Sequence, residues 1–143
     1  MHAIYDLIKG HKTHEVSEQQ SVLDVARTMV EHNIGAVPVV RDGHLIGIFS
    51  ERDLLKRVVA EGLDPAKTLV QQVMTPDPLV VSPKESVEHC MIVMKQHSFR
   101  HLPICEGTRM IGIVSLRDIM LHDIEEKDDE IINMRRYIQT NAS

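Results

Sequence analysis

The sequence has 143 residues, 43% of them hydrophobic and 26% charged, with a formal net charge of -5. That is enough apolar material for one compact domain or two very small ones, while the negative balance, the lack of a Lys/Arg cluster and the 3% aromatic content exclude a phosphate-backbone or base-stacking surface, so no nucleic-acid partner is expected. No stretch approaches the roughly 18 consecutive apolar residues of a membrane span, and residues 1–10 hold too short an apolar run for a signal peptide, which gives the expectation of no membrane partner and a cytoplasmic location.

Along the chain, residues 21–53 align without a gap to residues 86–118, so the sequence is organised by an internal repeat. A short strand is expected at 13–17. Val22, Val25, Ala26, Met29 and Val30 then fall at helical spacing. Apolar runs at 36–40 and 45–49 flank Asp42-Gly43, a two-residue hairpin signal, and a second helix is expected after Ser50. Thr75-Pro76-Asp77-Pro78 marks the entry to the second copy, whose first strand is expected at 79–82. Val87, Cys90, Met91 and Met94 predict its first helix, and the runs 101–105 and 110–114 flank a looser turn containing Gly107 before a helix that follows Ser115. Met29, Met91 and Met94 are read as core. Cys90 and Cys105 have no metal or redox spacing and are read as small buried residues.

The run 125–130 is acidic and reads as a solvated helix face. Ile124, Ile131, Met134 and Ile138 recur at a/d-like spacing, so the last helix has an apolar stripe that needs a partner. The expected domains are 1–66 and 67–126, one repeat each, with 127–143 as a C-terminal helical extension. A unit of about 60 residues is near the lower size limit for a stable core, so the copies should pack on each other with pseudo-twofold symmetry and leave clefts between them.

Each copy carries Gly-Ile-(Phe/Val)-Ser-x-Arg-Asp where a strand gives way to a helix, at 47–53 and 112–118. As structure this is a capping box, because Ser and the Asp three residues on satisfy free N–H groups at the helix start. As function, a helix start facing a cleft favours phosphate, the glycine allows close backbone approach, and the carboxylate can accept both ribose hydroxyls. The two readings are compatible. His11 and His14 with Glu15 do not form the His-Glu-x-x-His helix motif and are read as a surface loop, so no metal site is expected. His32 and His97 close the first helices, where a dipole or packing role is expected. No Walker lysine, Gly-x-Gly-x-x-Gly or nucleophile elbow is present, which argues against an enzyme.

The tandem arrangement, with Gly35-Ala36-Val37-Pro38-Val39-Val40, Arg100-His101-Leu102-Pro103-Ile104 and both Gly-x-x-Ser-x-x-Asp junctions, resembles a pair of CBS domains, or Bateman module, over nearly the whole chain. The resemblance implies an α/β fold of two β-α-β-β-α repeats plus a C-terminal helix. It implies Ser50 and Asp53 at one nucleotide site and Ser115 and Asp118 at the other, with Arg52, Arg117, Arg100 and His101 as candidates to meet phosphate. The residues around Val16 and Ser17, and the stretch from Thr75 to Val81, would line the adenine pockets, with Pro38 and Pro103 close by. Gly35-Ala36 in one copy stands against Arg100-His101 in the other, so the sites need not be equivalent. The expected function is that of a non-catalytic adenine-nucleotide sensor without a required cofactor, with AMP as ligand and ADP, ATP, NAD(H) or an S-adenosyl compound as alternatives. A homodimer and an unidentified regulated protein are its expected partners. A protein-interaction scaffold with empty clefts is the competing reading.

Overall fold

The computed structural model describes residues 2–141, excluding the side chain of Asn141. It is a mixed α/β fold in which the repeat is visible element by element. In the first copy, β1 (Val16–Ser17) leads to α2 (Val22–His32), the hairpin β2 (Ala36–Arg41) and β3 (His44–Ser50), and then α3 (Glu51–Asp53), which runs into a π-wound segment at Leu54–Val59. In the second, α5 (Val87–His97) leads to β5 (His101–Glu106), β6 (Arg109–Ser115) and α6 (Leu116–Asn141). Two short helices precede the copies, α1 (Ile4–Ile8) and α4 (Val70–Val73), and β4 (Thr75–Pro76) follows α4.

Local sequence explains the matched helices. Ser21 Oγ accepts the Asp24 N–H at 3.1 Å and Ser86 Oγ accepts the His89 N–H at 3.0 Å, so each first helix starts on a serine cap. Each ends on a left-handed residue, Asn33 or Ser98. Val22, Val25 and Met29 are buried, as are their counterparts Val87, Cys90 and Met94. The expected core face was drawn too wide. Val30 is 82% exposed and Met91 is exposed, because each stands one residue, about 100°, from the buried stripe. Val93 takes the core position that Met91 was expected to fill.

The hairpins are equally tight. Asp42 and Gly43 both have positive φ (52° and 79°), as a type I′ turn requires; Gly107 alone does in Gly107-Thr108 (61°), as in type II′. The turn at Gly107 is therefore not looser. Both hairpins shift register at the same repeat position, between Val39 and Val40 and between Ile104 and Cys105. The strand before each copy is shorter than expected: β1 holds only Val16–Ser17 against β2, and 79–82 reduces to a bridge from Val81 to Ile104. The two hairpins are linked into one sheet, ordered β1-β2-β3-β6-β5 with β4 paired to β3. They meet at His44 and Arg109, with the Leu45 N–H donating to the Thr108 carbonyl at 3.1 Å.

The packing crosses the expected domain boundary. One core holds Val16, Val22, Val25, Met29, Val37, Val39, Phe49 and Val58 together with Val70 and Val73 of α4. The other holds Val81, Val87, Cys90, Val93, Met94, Leu102, Ile104, Val114 and Ile119 together with Ile4, Leu7 and Ile8 of α1. The short helices are thus exchanged: α1 packs on the later copy and α4 on the earlier. Residues 127–141 continue the helix of the later copy, since α6 runs unbroken from Leu116 through Asn141, a stretch without glycine or proline; 142–143 lie outside the described residues. Among the described residues no helix is long and apolar enough to cross a membrane.

Candidate functional site

The strand-to-helix junction at Ser50 is built as a reciprocal cap. Asp53 Oδ2 accepts the Ser50 N–H at 3.0 Å and the Ser50 hydroxyl at 3.1 Å, while Ser50 Oγ accepts the Asp53 N–H at 3.2 Å. The other carboxylate oxygen, Oδ1, lies 3.4 Å from Thr75 Oγ1 and 3.6 Å from Arg57 Nε. Asp53 is only 9% exposed, so this anion is held by the hydroxyl, the amide and a guanidinium together. The π-wound turn aims Arg57 back at this point, where its Nη1 donates to the Met74 carbonyl at 2.9 Å. Gly47 admits Met74 close by, since a Cβ there would lie 2.4 Å from the Met74 sulfur.

This junction opens on a cleft of about 540 Å³ between the repeats. The earlier copy contributes Gly35, Ala36, Ile48, Ser50, Glu51, Arg52 and Asp53; the connection contributes Thr75, Asp77, Pro78 and Leu79; the later copy contributes Ser98, Phe99, Arg100, His101 and Pro103. Arg52 and Arg100 are exposed and flank it with positive charge. Burial pushes the His101 imidazole below its ordinary range, against the upward pull of the Asp118 and Glu51 carboxylates, and Arg100 adds to the lowering. Gly35 leaves room for these groups: a Cβ there would stand 3.1 Å from Glu51 Oε1 and 3.4 Å from His101 Cε1. Phe99 is 42% exposed on the cleft, its ring stacked on His97 with centroids 5.4 Å apart.

Of the residues singled out in the sequence, Ser50, Arg52, Asp53, Thr75, Arg100, His101 and Pro103 line this one cleft. Ser115, Arg117 and Asp118 do not; they form the matching junction, where Asp118 Oδ2 accepts the Ser115 N–H at 3.0 Å and Ser115 Oγ accepts the Asp118 N–H at 3.0 Å. Where the first junction has Arg57 the chain carries His122, and beside Gly112 it is Ile8 and the Thr13 hydroxyl that approach, a Cβ there lying 2.8 Å from Ile8 Cδ1 and 3.6 Å from Thr13 Oγ1. Pro38 is buried opposite Ile48 in the hairpin, and Val16 and Val81 belong to the two cores. Ser17 borders a separate depression with Glu15, Val16, Glu18, Gln19, Val40, Arg41 and Asp42, where Arg41 is already forked onto the Glu18 carboxylate.

Sequence reasoning passed over Ile48, Glu51, Ser98 and Phe99. A signal existed for Phe99, one of two phenylalanines in the chain, placed just before Arg100-His101. The histidines at the ends of the first helices stack on neighbours, His32 on His14 (centroids 3.6 Å apart) and His97 on Phe99. Both cysteines are buried and unpaired; burial pushes the Cys90 thiol up to about 11, far from a reactive thiolate.

Residues 12–60 and 70–125 each match the CBS domain family. The Bacillus subtilis CBS domain-containing protein YhcV is 36% identical over 112 residues, which cover 78% of this chain and 79% of that protein. The mitochondrial CBS domain-containing protein CBSX3 of Arabidopsis thaliana is 33% identical over 83% of this chain, but the match spans only 60% of its length. Among solved structures, a putative signal-transduction protein with CBS domains from Burkholderia ambifaria superposes with a TM-score of 0.80 at 31% identity, covering 85% of this chain and 93% of that one. CBSX2 in complex with AMP superposes with a TM-score of 0.76 at 25% identity, covering 89% and 99%. Two matched repeats, each with its capped strand-to-helix junction, in a fold shared with these structures, mean that this chain belongs to the CBS-domain family, as a tandem CBS pair.

Proposed function

We propose that this CBS pair is a non-catalytic regulatory module that binds an adenine nucleotide, AMP, in the cleft at Ser50 and Asp53. The observation that carries the reading is the pairing across that cleft of a capped, buried carboxylate from one repeat with an arginine, a histidine and an exposed phenyl ring from the other. Its volume is in the range that holds small ligands. Asp53 keeps lone pairs for the ribose hydroxyls, Arg52 and Arg100 meet phosphate, and Phe99 with Leu79 and Ile48 offers apolar surface to the adenine. The binding of AMP by CBSX2 supports the choice of ligand. The Ser115 and Asp118 junction serves as a second, weaker site.

Ligand closure of the cleft changes how the two repeats sit, and a regulated protein reads the difference. A second copy of the chain covers the apolar stripe of α6, where Ile131, Met134 and Ile138 are 48%, 64% and 61% exposed. The module acts in the cytoplasm.

Calorimetry with AMP, ADP, ATP, NAD and S-adenosylmethionine tests the reading. One tight site per chain for AMP, weakened by Asp53→Ala, is the expected outcome. No heat and no thermal shift with any of the five would transfer the function to protein contacts alone.

A further inference from the structure

Three groups outside the cleft come together where the start of the chain meets α6. His2 Nε2 contacts Glu126 Oε1, His122 Nε2 lies 3.3 Å from the same oxygen, and the two imidazoles sit edge to face with centroids 5.3 Å apart. One ligand atom from each residue lies within 4.8 Å of the others. His122 and Glu126 are one helical turn apart, so α6 itself sets their spacing, and His2 arrives from the segment just before α1.

We propose that His2, His122 and Glu126 form a binding site for a zinc-class divalent transition metal. The direct contact between His2 and Glu126 accounts for those two residues but not for the third. Among the described residues His122 Nε2 is sealed from solvent and, although 3.3 Å from Glu126 Oε1, makes no hydrogen bond, an arrangement that native structures rarely tolerate. A metal ion satisfies it. Tetrahedral ligands at about 2.0 to 2.2 Å from a zinc ion stand roughly 3.3 Å from one another, which is the separation of His122 Nε2 from Glu126 Oε1. His2, half exposed at its side chain, moves off its short contact onto the ion. Two imidazoles and one carboxylate favour zinc, nickel or cobalt over magnesium or calcium, which take oxygen ligands. The fourth position is left for water. No local spacing points to this set, because His2 and His122 stand 120 positions apart.

The test uses the full, tag-free chain, titrated with Zn²⁺ against a competing chelator and with Co²⁺ as a spectroscopic probe. One ion per chain is expected, with the intense visible bands of tetrahedral Co²⁺, displaced by Zn²⁺. His2→Ala and Glu126→Gln should each weaken binding by about 10-fold or more, and His122→Ala should abolish the tetrahedral spectrum. His11→Ala with His14→Ala should change nothing. The proposal is overturned if no ion binds at neutral pH, if affinity survives His2→Ala and Glu126→Gln together, or if it is lost with His11 and His14 instead. His2 is exposed, so its variant folds and decides the matter even where His122→Ala does not.

Discussion

Asp53 has several partners to satisfy at once. Its carboxylate caps a helix, takes Thr75 and Arg57 on its second oxygen, and in the proposed site accepts two ribose hydroxyls as well. Replacing it by alanine should therefore cost in two readouts. Loss of the cap lowers stability by about 0.5 to 2 kcal/mol, seen as a lower melting temperature, and loss of the ribose contacts weakens AMP by roughly 10-fold or more. Asp118→Ala should lower stability similarly but leave the affinity of the main cleft unchanged in calorimetry. Equal losses of affinity in the two variants would contradict the asymmetry drawn above. Arg100→Ala should weaken AMP by about 10-fold while leaving adenosine nearly unaffected. His101 adds a dependence on pH. Its folded value is depressed, so below about pH 6.5 the unfolded chain takes up this proton before the folded one does. The stability owed to the neutral ring is complete above that pH and is lost as pH falls toward the folded value. Thermal scans from about pH 7 to 5 should show a shallower fall for His101→Gln than for the parent chain.

Among the elements, the two kinds of helix differ in what anchors them. The first helix of each repeat is pinned by a serine cap, a left-handed end and three matched buried residues, and all of these are legible in the sequence because they are local and periodic. α6 has its fully buried side chain, Ile119, near its start, and meets His2 through His122 and Glu126; from Met120 onward its large apolar side chains are exposed among the described residues. A chain ending at Glu126 should keep nucleotide affinity yet dissociate at concentrations where the full chain is dimeric, as light scattering at several concentrations would show. A truncated chain that remains a dimer moves the interface to the faces of the repeats. The burial of three such side chains per subunit, at roughly 1.5 to 3 kcal/mol each, is of the size a stable dimer needs.

For the whole molecule, the repeat itself was visible in the order of residues, down to the hairpin turn spelled out by Asp42-Gly43, whereas the tightness of the Gly107 turn was not. What could not be read was which copy each short helix would cover. Ile4, Leu7 and Ile8 look like a small apolar cluster beside the first repeat, and only the packing reveals that they complete the second. The same is true of Thr75 meeting Asp53, and of Phe99 facing Ser50, since both join segments with no shared period. Residues 67–143 made alone would lack those three buried side chains, a loss of roughly 5 to 9 kcal/mol, comparable with the entire stability of a domain this small. Such a chain should show no cooperative melt, and residues 1–66, deprived of Val70 and Val73, should fare no better.

The exchange of α1 and α4 also decides where a tether pulls. Because α1 docks on the later core and α6 springs from it, anything attached ahead of α1 and anything attached behind α6 hangs from the same half of the molecule, and the earlier half is the free arm of the lever. Dyes on the exposed Lys9 and Lys127 should thus keep one distance when nucleotide is added, whereas dyes on Lys9 and Glu61 should report the cleft closing.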